Sequence, residues 1–137
     1  MAILKHIASK NADYGEAQRY LMYQYDELTN KPILDENGEL ILRKEYYMDG
    51  LNCDPFTFDM ECRELNALYH KNESYDEIKS HHYIISFDPK DAAENGLTGE
   101  RAQQIGLEYA SKNFPGHQAL VCTHMDGHNE SGNIHVH

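Results

Sequence analysis

The chain has few of the residues that mark secreted or membrane-embedded proteins. It has no tryptophan, four prolines and three cysteines in 137 residues. The cysteines are odd in number and lack CxxC spacing, which favours reduced thiols in a cytoplasmic protein over a disulfide framework, and we expect Cys62 and Cys122 in the core. No apolar run is long enough to cross a bilayer, and the opening MAILKH does not resemble a signal peptide, so we expect no membrane insertion.

Positive charge is also scarce. The chain has 12 Lys and Arg against 23 Asp and Glu, which gives a net charge of −11. Proteins that bind nucleic acid mainly through counterion release are basic, so the charge argues against tight non-specific DNA binding by this chain. DNA as a substrate is still compatible with it, because a site can be locally basic or can hold a metal ion.

The predicted elements alternate between helices and strands. Strands are predicted over residues 2–7, 80–87 and 118–125, and another begins at residue 133. Helices are predicted over about residues 14–28, 54–70 and 97–113, and Asn37-Gly38 is a hairpin signal. The last two strands are close enough in sequence to pair antiparallel. This order predicts an α+β domain with a largely antiparallel sheet and helices packed on it.

Histidines are concentrated in the segment THMDGHNESGNIHVH, which holds four of the nine in the chain. Alternate side chains share a face of a strand, so His135 and His137 point the same way. A loop of roughly seven residues would bring the strand that carries His124 alongside them. Three convergent imidazoles with open coordination positions predict a catalytic metal site. The alternative is a polar strand end whose histidines are solvated.

Tyrosine is frequent, with ten residues in the chain. Four of them fall in the first helical region, at positions 14, 20, 23 and 25. Tyrosine is a good amphipathic filler, so several of these side chains should pack. A phenol can also be a nucleophile, and a metal ion that neutralises charge on a phosphodiester would supply the electrophilic half of such a reaction.

Four sequence blocks, in this order, resemble the relaxase/mobilisation nuclease family: GEAQRYLMYQYDE, MDGLNCDPFTFDMECREL, SHHYIISFDP and THMDGHNESGNIHVH. These are DNA-processing proteins of plasmids and integrative elements, and they belong to the HUH endonucleases. The resemblance covers nearly the whole chain. It implies one relaxase domain over residues 1–137, truncated at its C-terminal end, with a palm-like central antiparallel sheet and helices packed on it, in the cytoplasm of a bacterium.

The resemblance also implies a metal site. The segment His135-Val136-His137 matches the two histidines separated by a hydrophobic residue, and His124 matches a third ligand from the neighbouring strand. In the family the ion is usually Mg²⁺ or Mn²⁺. Three neutral imidazoles suit Mn²⁺ or Zn²⁺ better than Mg²⁺ by ligand softness.

A nucleophile is implied by the same resemblance. The segment Ala17–Leu21 matches the family pattern A-x-x-Y-L, which points to Tyr20, with Tyr23 and Tyr25 as alternatives. The tyrosine would attack single-stranded DNA at the nick site of a transfer origin and form a 5′-phosphotyrosine with a free 3′-hydroxyl, and the same site would rejoin the strand. Accessory mobilisation proteins are the expected further partners in conjugation.

Three further residues are candidates for orienting a ligand or contacting DNA. His81 and His82 open the central strand on opposite faces, so at most one of them faces the site, and His82 is the candidate. Asp126 would orient a ligand histidine or simply make its own turn. Arg19 would hold a DNA phosphate or lie on a solvated helix face.

Two other functions stay open. A rolling-circle replication initiator shares the HUH motif, but there the histidine strand commonly precedes the tyrosine, whereas Tyr20 precedes the histidines here. A non-catalytic metal- or DNA-binding module could retain the fold without turnover. Loss of DNA cleavage with metal binding retained would point to that module.

Overall fold

An antiparallel sheet with helices on both faces forms the centre of the computed structural model, which describes residues 2–26, 28–29, 31–43, 46–125 and 133–137. The strands are β1 (Ala2–Ser9), β2 (Tyr25–Asp26), β3 (Lys31–Pro32), β4 (Tyr46–Leu51), β5 (Ser80–Phe87), β6 (Ala119–His124) and β7 (His135–Val136). Five of them form the main sheet in the order β1-β5-β7-β6-β4, and every neighbouring pair is antiparallel. The predicted α+β class with a central antiparallel sheet is confirmed.

Four helices complete the described fold: α1 (Tyr14–Met22), α2 (Phe58–Tyr69), α3 (Pro89–Ala93) and α4 (Gly99–Asn113). In the part of the chain that the structure describes, no helix is long and apolar enough to span a membrane. Cys62 is 8% exposed and Cys122 is fully buried, which confirms both as core residues.

Helix α4 covers one face of the sheet and makes the main core with it. The buried residues of this core are Ala102, Ala110, Val121, Ile134 and Val136. Gly106 lets the helix approach closely, since a Cβ there would lie 2.5 Å from Val136 Cγ1 and 2.9 Å from Val121 Cγ1. The core therefore holds the central strand β7 on the face opposite the histidines, through Val136, which lies between His135 and His137.

Helix α1 lies on the other face. The carboxylate of Asp13 caps its first turn by accepting a hydrogen bond from the Gly15 amide. The helix ends at Met22, so its predicted extension to residue 28 was wrong. Beyond it the Gln24 amide donates to the Ile41 carbonyl at 2.8 Å, because the chain has already entered an arm, formed by the described residues between 23 and 43, that contains the small sheet of β2 and β3.

Candidate metal centre

Three histidines meet on the face of the sheet that α1 covers. Strand β7 lies between β5 and β6, and its register sets His135 opposite His124. Alternation then brings His137 to the same face. One ring nitrogen from each histidine lies within 4.8 Å of the others. The ring centroids are 4.8 to 5.2 Å apart, so the imidazoles surround a common centre.

Two of these rings are held in place by backbone carbonyls. His124 is 1% exposed, and its Nε2 lies 2.8 Å from the Leu21 carbonyl oxygen of α1. The Nδ1 of His135 lies 3.1 Å from the Asn133 carbonyl oxygen. A metal-binding histidine commonly donates its second ring N–H to such an oxygen, which fixes its tautomer and orientation.

The third ring, that of His137, is held by another histidine. Its Nδ1 lies 2.9 Å from Nε2 of His82, whereas the neighbouring His81 contacts His6 on the opposite face. Burial and then the positive charge that His124 and His135 can carry hold the pKa of His137 far below its ordinary value. Burial likewise lowers the pKa of His82. Both rings are therefore neutral at pH 7, which is the form that binds a metal.

The residues present fit a divalent ion. The Nε2 atom of His137 is buried and has no hydrogen-bond partner among the residues that the structure describes. A buried polar atom without a partner is costly, and an ion at the centre of the triad would satisfy it. The three histidines supply nitrogen ligands alone, a donor set that suits Mn²⁺ or Zn²⁺ better than Mg²⁺.

Of the three candidate tyrosines, Tyr20 is the one whose ring contacts the triad within the described residues. Its ring centroid lies 6.1 Å from that of His137, with the planes at 79°. Tyr25 meets Tyr20 at 5.3 Å, on the side of the arm. Tyr23 is the C-cap residue that follows α1, and it forms a β-bridge to Leu42.

Arg43 is a site residue that the sequence did not reveal. Its guanidinium Nε and Nη2 donate to the Tyr20 carbonyl oxygen at 3.3 and 3.1 Å. The same group lies over the Tyr20 ring, with Cζ 5.4 Å from the ring centroid. Arg43 belongs to no motif, so its place in the site could be found only once the arm was seen to return to α1.

The C-terminal end of α1 is capped by residues of the site. The carbonyls of Tyr20, Leu21 and Met22 have no donor from a following helical turn. The Arg43 side chain binds the first and His124 the second, while the Arg43 amide donates to the third at 2.9 Å. The negative end of the helix dipole therefore faces the histidines and favours a cation there.

The candidate Arg19 is bound to the N-terminal cap of its own helix. Arg19 pairs with Asp13, with Nη2 2.6 Å from Oδ2, and both side chains are nearly half exposed. Its hydrogen bond to Asp13 raises the pKa of Arg19, which also has a weaker interaction with Tyr25. The candidate Asp126 lies outside the described residues.

Comparison with known proteins points to one family. A sequence model described as "Relaxase: MobA/VirD2-like, nuclease domain" matches residues 28–137. The match includes the three histidines, His82 and Arg43, and it begins after α1, the helix that carries Tyr20.

The relatives found are proteins named "Protein rlx" from Staphylococcus aureus. One is 39% identical over 77 residues, which is 56% of this chain and 22% of the relative. Another is 33% identical over 88 residues, which is 64% of this chain and 23% of the relative. The chain thus matches under a quarter of the length of these curated relatives. No solved structure matches it significantly.

Proposed function

Because the chain belongs to the relaxase family, in its MobA/VirD2-like nuclease domain, we propose that it nicks and rejoins single-stranded DNA at a transfer origin. The observation that supports this most strongly is the tyrosine ring beside three clustered histidines, 6.1 Å from the ring of His137. A nucleophile beside a cation site is the pair that phosphoryl transfer requires. Residues 1–137 would all belong to this domain, and accessory mobilisation proteins would be further partners.

In the proposed step the phenol oxygen of Tyr20 forms a bond to the phosphorus of a phosphodiester. The bond from that phosphorus to the 3′ oxygen breaks, and its electron pair leaves with the oxygen. The phenol loses its proton and the departing oxygen gains one, so the products are a 5′-phosphotyrosine and a free 3′-hydroxyl. Rejoining is the same exchange in reverse, with the hydroxyl as the nucleophile.

We propose that His124, His135 and His137 hold a divalent ion, Mn²⁺ or Mg²⁺, with Zn²⁺ as the alternative. When bound, the ion would neutralise charge on the phosphate oxygens. To bind a metal through Nε2, neutral His137 must carry its proton on Nδ1. This N–H then donates a hydrogen bond to Nε2 of His82, whose neutral ring can accept it. His82 would therefore select the tautomer of a ligand.

The acidic balance of the chain does not oppose DNA binding at this face. Alternation and register assign Lys5 on β1 and His82 on β5 to the same face as the triad. The described strands of the main sheet place no carboxylate on that face, although the chain carries 23 acidic residues. Arg43 adds a second cation beside Tyr20. The positive groups that the strands and the arm bring to this face, Lys5 and Arg43, are thus not opposed by a carboxylate of the described main-sheet strands.

A covalent-adduct assay tests this function. Oligonucleotides that tile the transfer origin would be incubated with the protein and Mn²⁺, and adducts would be resolved on denaturing gels. We expect a shifted band that is lost in Tyr20→Phe and in His135→Ala and retained in Tyr23→Phe. A band that survives Tyr20→Phe would assign another nucleophile. The absence of any band, together with Mn²⁺ binding by calorimetry, would leave a non-catalytic metal-binding module.

A further inference from the structure

Arg43 joins the arm of residues 23–43 to the centre of the site. We propose that Arg43 positions Tyr20 for attack, because its guanidinium holds both the backbone and the ring of that one residue in the orientation that faces His137. The inference rests on the proposed function, in which Tyr20 is the nucleophile. Arg43 is then a positioning residue, since it acts through the tyrosine.

The backbone contact follows from where α1 ends. In a continuing helix the Gln24 amide would donate to the Tyr20 carbonyl. Here that amide donates to Ile41 at 2.8 Å, so the Tyr20 carbonyl needs another donor. The fork of Arg43 supplies two, Nε at 3.3 Å and Nη2 at 3.1 Å. These bonds stop the last turn of the helix from fraying at the residue that carries the nucleophile.

The ring contact restrains the side chain of the same residue. The Cζ atom of Arg43 lies 5.4 Å from the centroid of the Tyr20 ring. The ring of Tyr25 meets Tyr20 edge-on at 5.3 Å, and His137 meets it at 6.1 Å. The phenol is therefore held among three neighbours. A displacement of about 1 Å at a reacting group can lower a rate about 100-fold, so this restraint has a catalytic consequence.

Arg43 is itself fixed by the arm. Its amide donates to the Met22 carbonyl at 2.9 Å, and the side-chain amide of Gln24 donates to the Leu42 carbonyl at 3.2 Å. The arm is thus bonded to the end of α1 at Arg43 itself, and a second hydrogen bond holds the residue before it. Lysine at this position would keep the positive charge but lose the planar fork that reaches carbonyl and ring together.

Single-turnover adduct formation separates positioning from DNA binding. We expect Arg43→Ala to lower the rate at saturating oligonucleotide by about 10- to 100-fold, with the oligonucleotide concentration at half-maximal rate changed less than about 3-fold. Arg43→Lys should fall between Ala and wild type, and free guanidinium ion should partly restore Arg43→Ala. Arg101→Ala is the matched control, because this exposed arginine of α4 contacts Gln104 and lies away from the site.

A spectroscopic readout tests the positioning without turnover. In protein labelled with 3-fluorotyrosine, the resonance of Tyr20 is identified by its loss in Tyr20→Phe. We expect Arg43→Ala to shift and narrow this ¹⁹F resonance, because the ring gains freedom, and Arg101→Ala to leave it unchanged. Arg43→Lys, which preserves the charge, should change it less than Arg43→Ala and so excludes unfolding as the cause.

These two experiments separate failure of the positioning role of Arg43 from failure of the proposed nicking function. An unchanged Tyr20 resonance in Arg43→Ala overturns the positioning role, whether or not DNA is cleaved. A rate loss that appears only as weaker oligonucleotide binding, with full recovery in Arg43→Lys, also overturns it in favour of a simple charge contact with DNA. If wild-type protein forms no adduct, the nicking function fails, while a shifted resonance still shows that Arg43 orients the ring.

Discussion

Because Gly106 has no side chain, α4 packs closely against the strand that carries two of the candidate metal ligands. In Gly106→Ala the new Cβ would lie 2.5 Å from Val136 Cγ1 and 2.9 Å from Val121 Cγ1. Optimal carbon–carbon contacts are about 3.5–4.0 Å, so the helix or the strand must move by about 1 Å. Both valines are buried, at 2% and 4% exposure, so neither side chain has free space to retreat into.

Two opposing effects decide how much the stability changes. Overpacking of a dense core costs about 1–3 kcal/mol, and replacing glycine by alanine within a helix returns about 1 kcal/mol. The clash outweighs the gain in helix propensity, so we expect the free energy of unfolding to fall by about 1 kcal/mol in urea titrations. Because Val136 lies between His135 and His137, we also expect weaker Mn²⁺ binding by calorimetry.

A second variant identifies the contact responsible. Val136→Ala removes the methyl group that the new Cβ meets, so the double variant should lose less stability than the two single losses together, with a coupling of about 0.5–3 kcal/mol. Glu108→Ala is the control for substitution on the exposed side of α4. If Gly106→Ala raised stability by the helix-propensity gain and left Mn²⁺ affinity unchanged, the close approach would not constrain the site.

Two further predictions concern single side chains. Replacing His82 by alanine should lower Mn²⁺ affinity about 10- to 100-fold in calorimetric titrations, because the tautomer of His137 is no longer fixed. Equal affinities for this variant and for the His81→Ala control would contradict that role of His82. Burial raises the pKa of Cys62 to about 12, so this thiol should resist iodoacetamide at pH 8.5 until urea unfolds the chain, as followed by mass spectrometry. Just above pH 9 only the unfolded chain loses this proton, so the free energy of unfolding should fall between about pH 9 and 12. Rapid alkylation of the native protein would refute the burial of Cys62.

The fold class could be predicted because its signals are local. The strand at 80–87 has the bounds that its apolar run indicated, and Thr98 caps α4 close to the predicted start. Strand β4 was missed, since Asp49 and Gly50 interrupt its pattern and it gains its partner only from β6, far along the chain. The end of α1 was predicted too late for a similar reason, because its termination depends on Ile41 in the returning arm.

The candidate site also combines features that local sequence predicts with features that depend on distant contacts. Convergence of the histidines follows from alternation within one strand and a short connection to its neighbour, both readable in sequence. Which of His81 and His82 faces the triad depends on the register of β5 against β7. Arg43 could not be predicted at all, because the carbonyl it binds becomes available only where tertiary contacts end α1.

Only a few bonds connect the candidate metal ligand His124 to the candidate nucleophile Tyr20. The ring of His124 is fixed by the Leu21 carbonyl, and Leu21 follows Tyr20 directly in the chain. An ion that orders His124 would therefore also order the last turn of α1, and Arg43 binds the same turn at the preceding carbonyl, that of Tyr20. Binding of the metal and placement of the phenol should then be mutually reinforcing, since both restrain the last turn of α1.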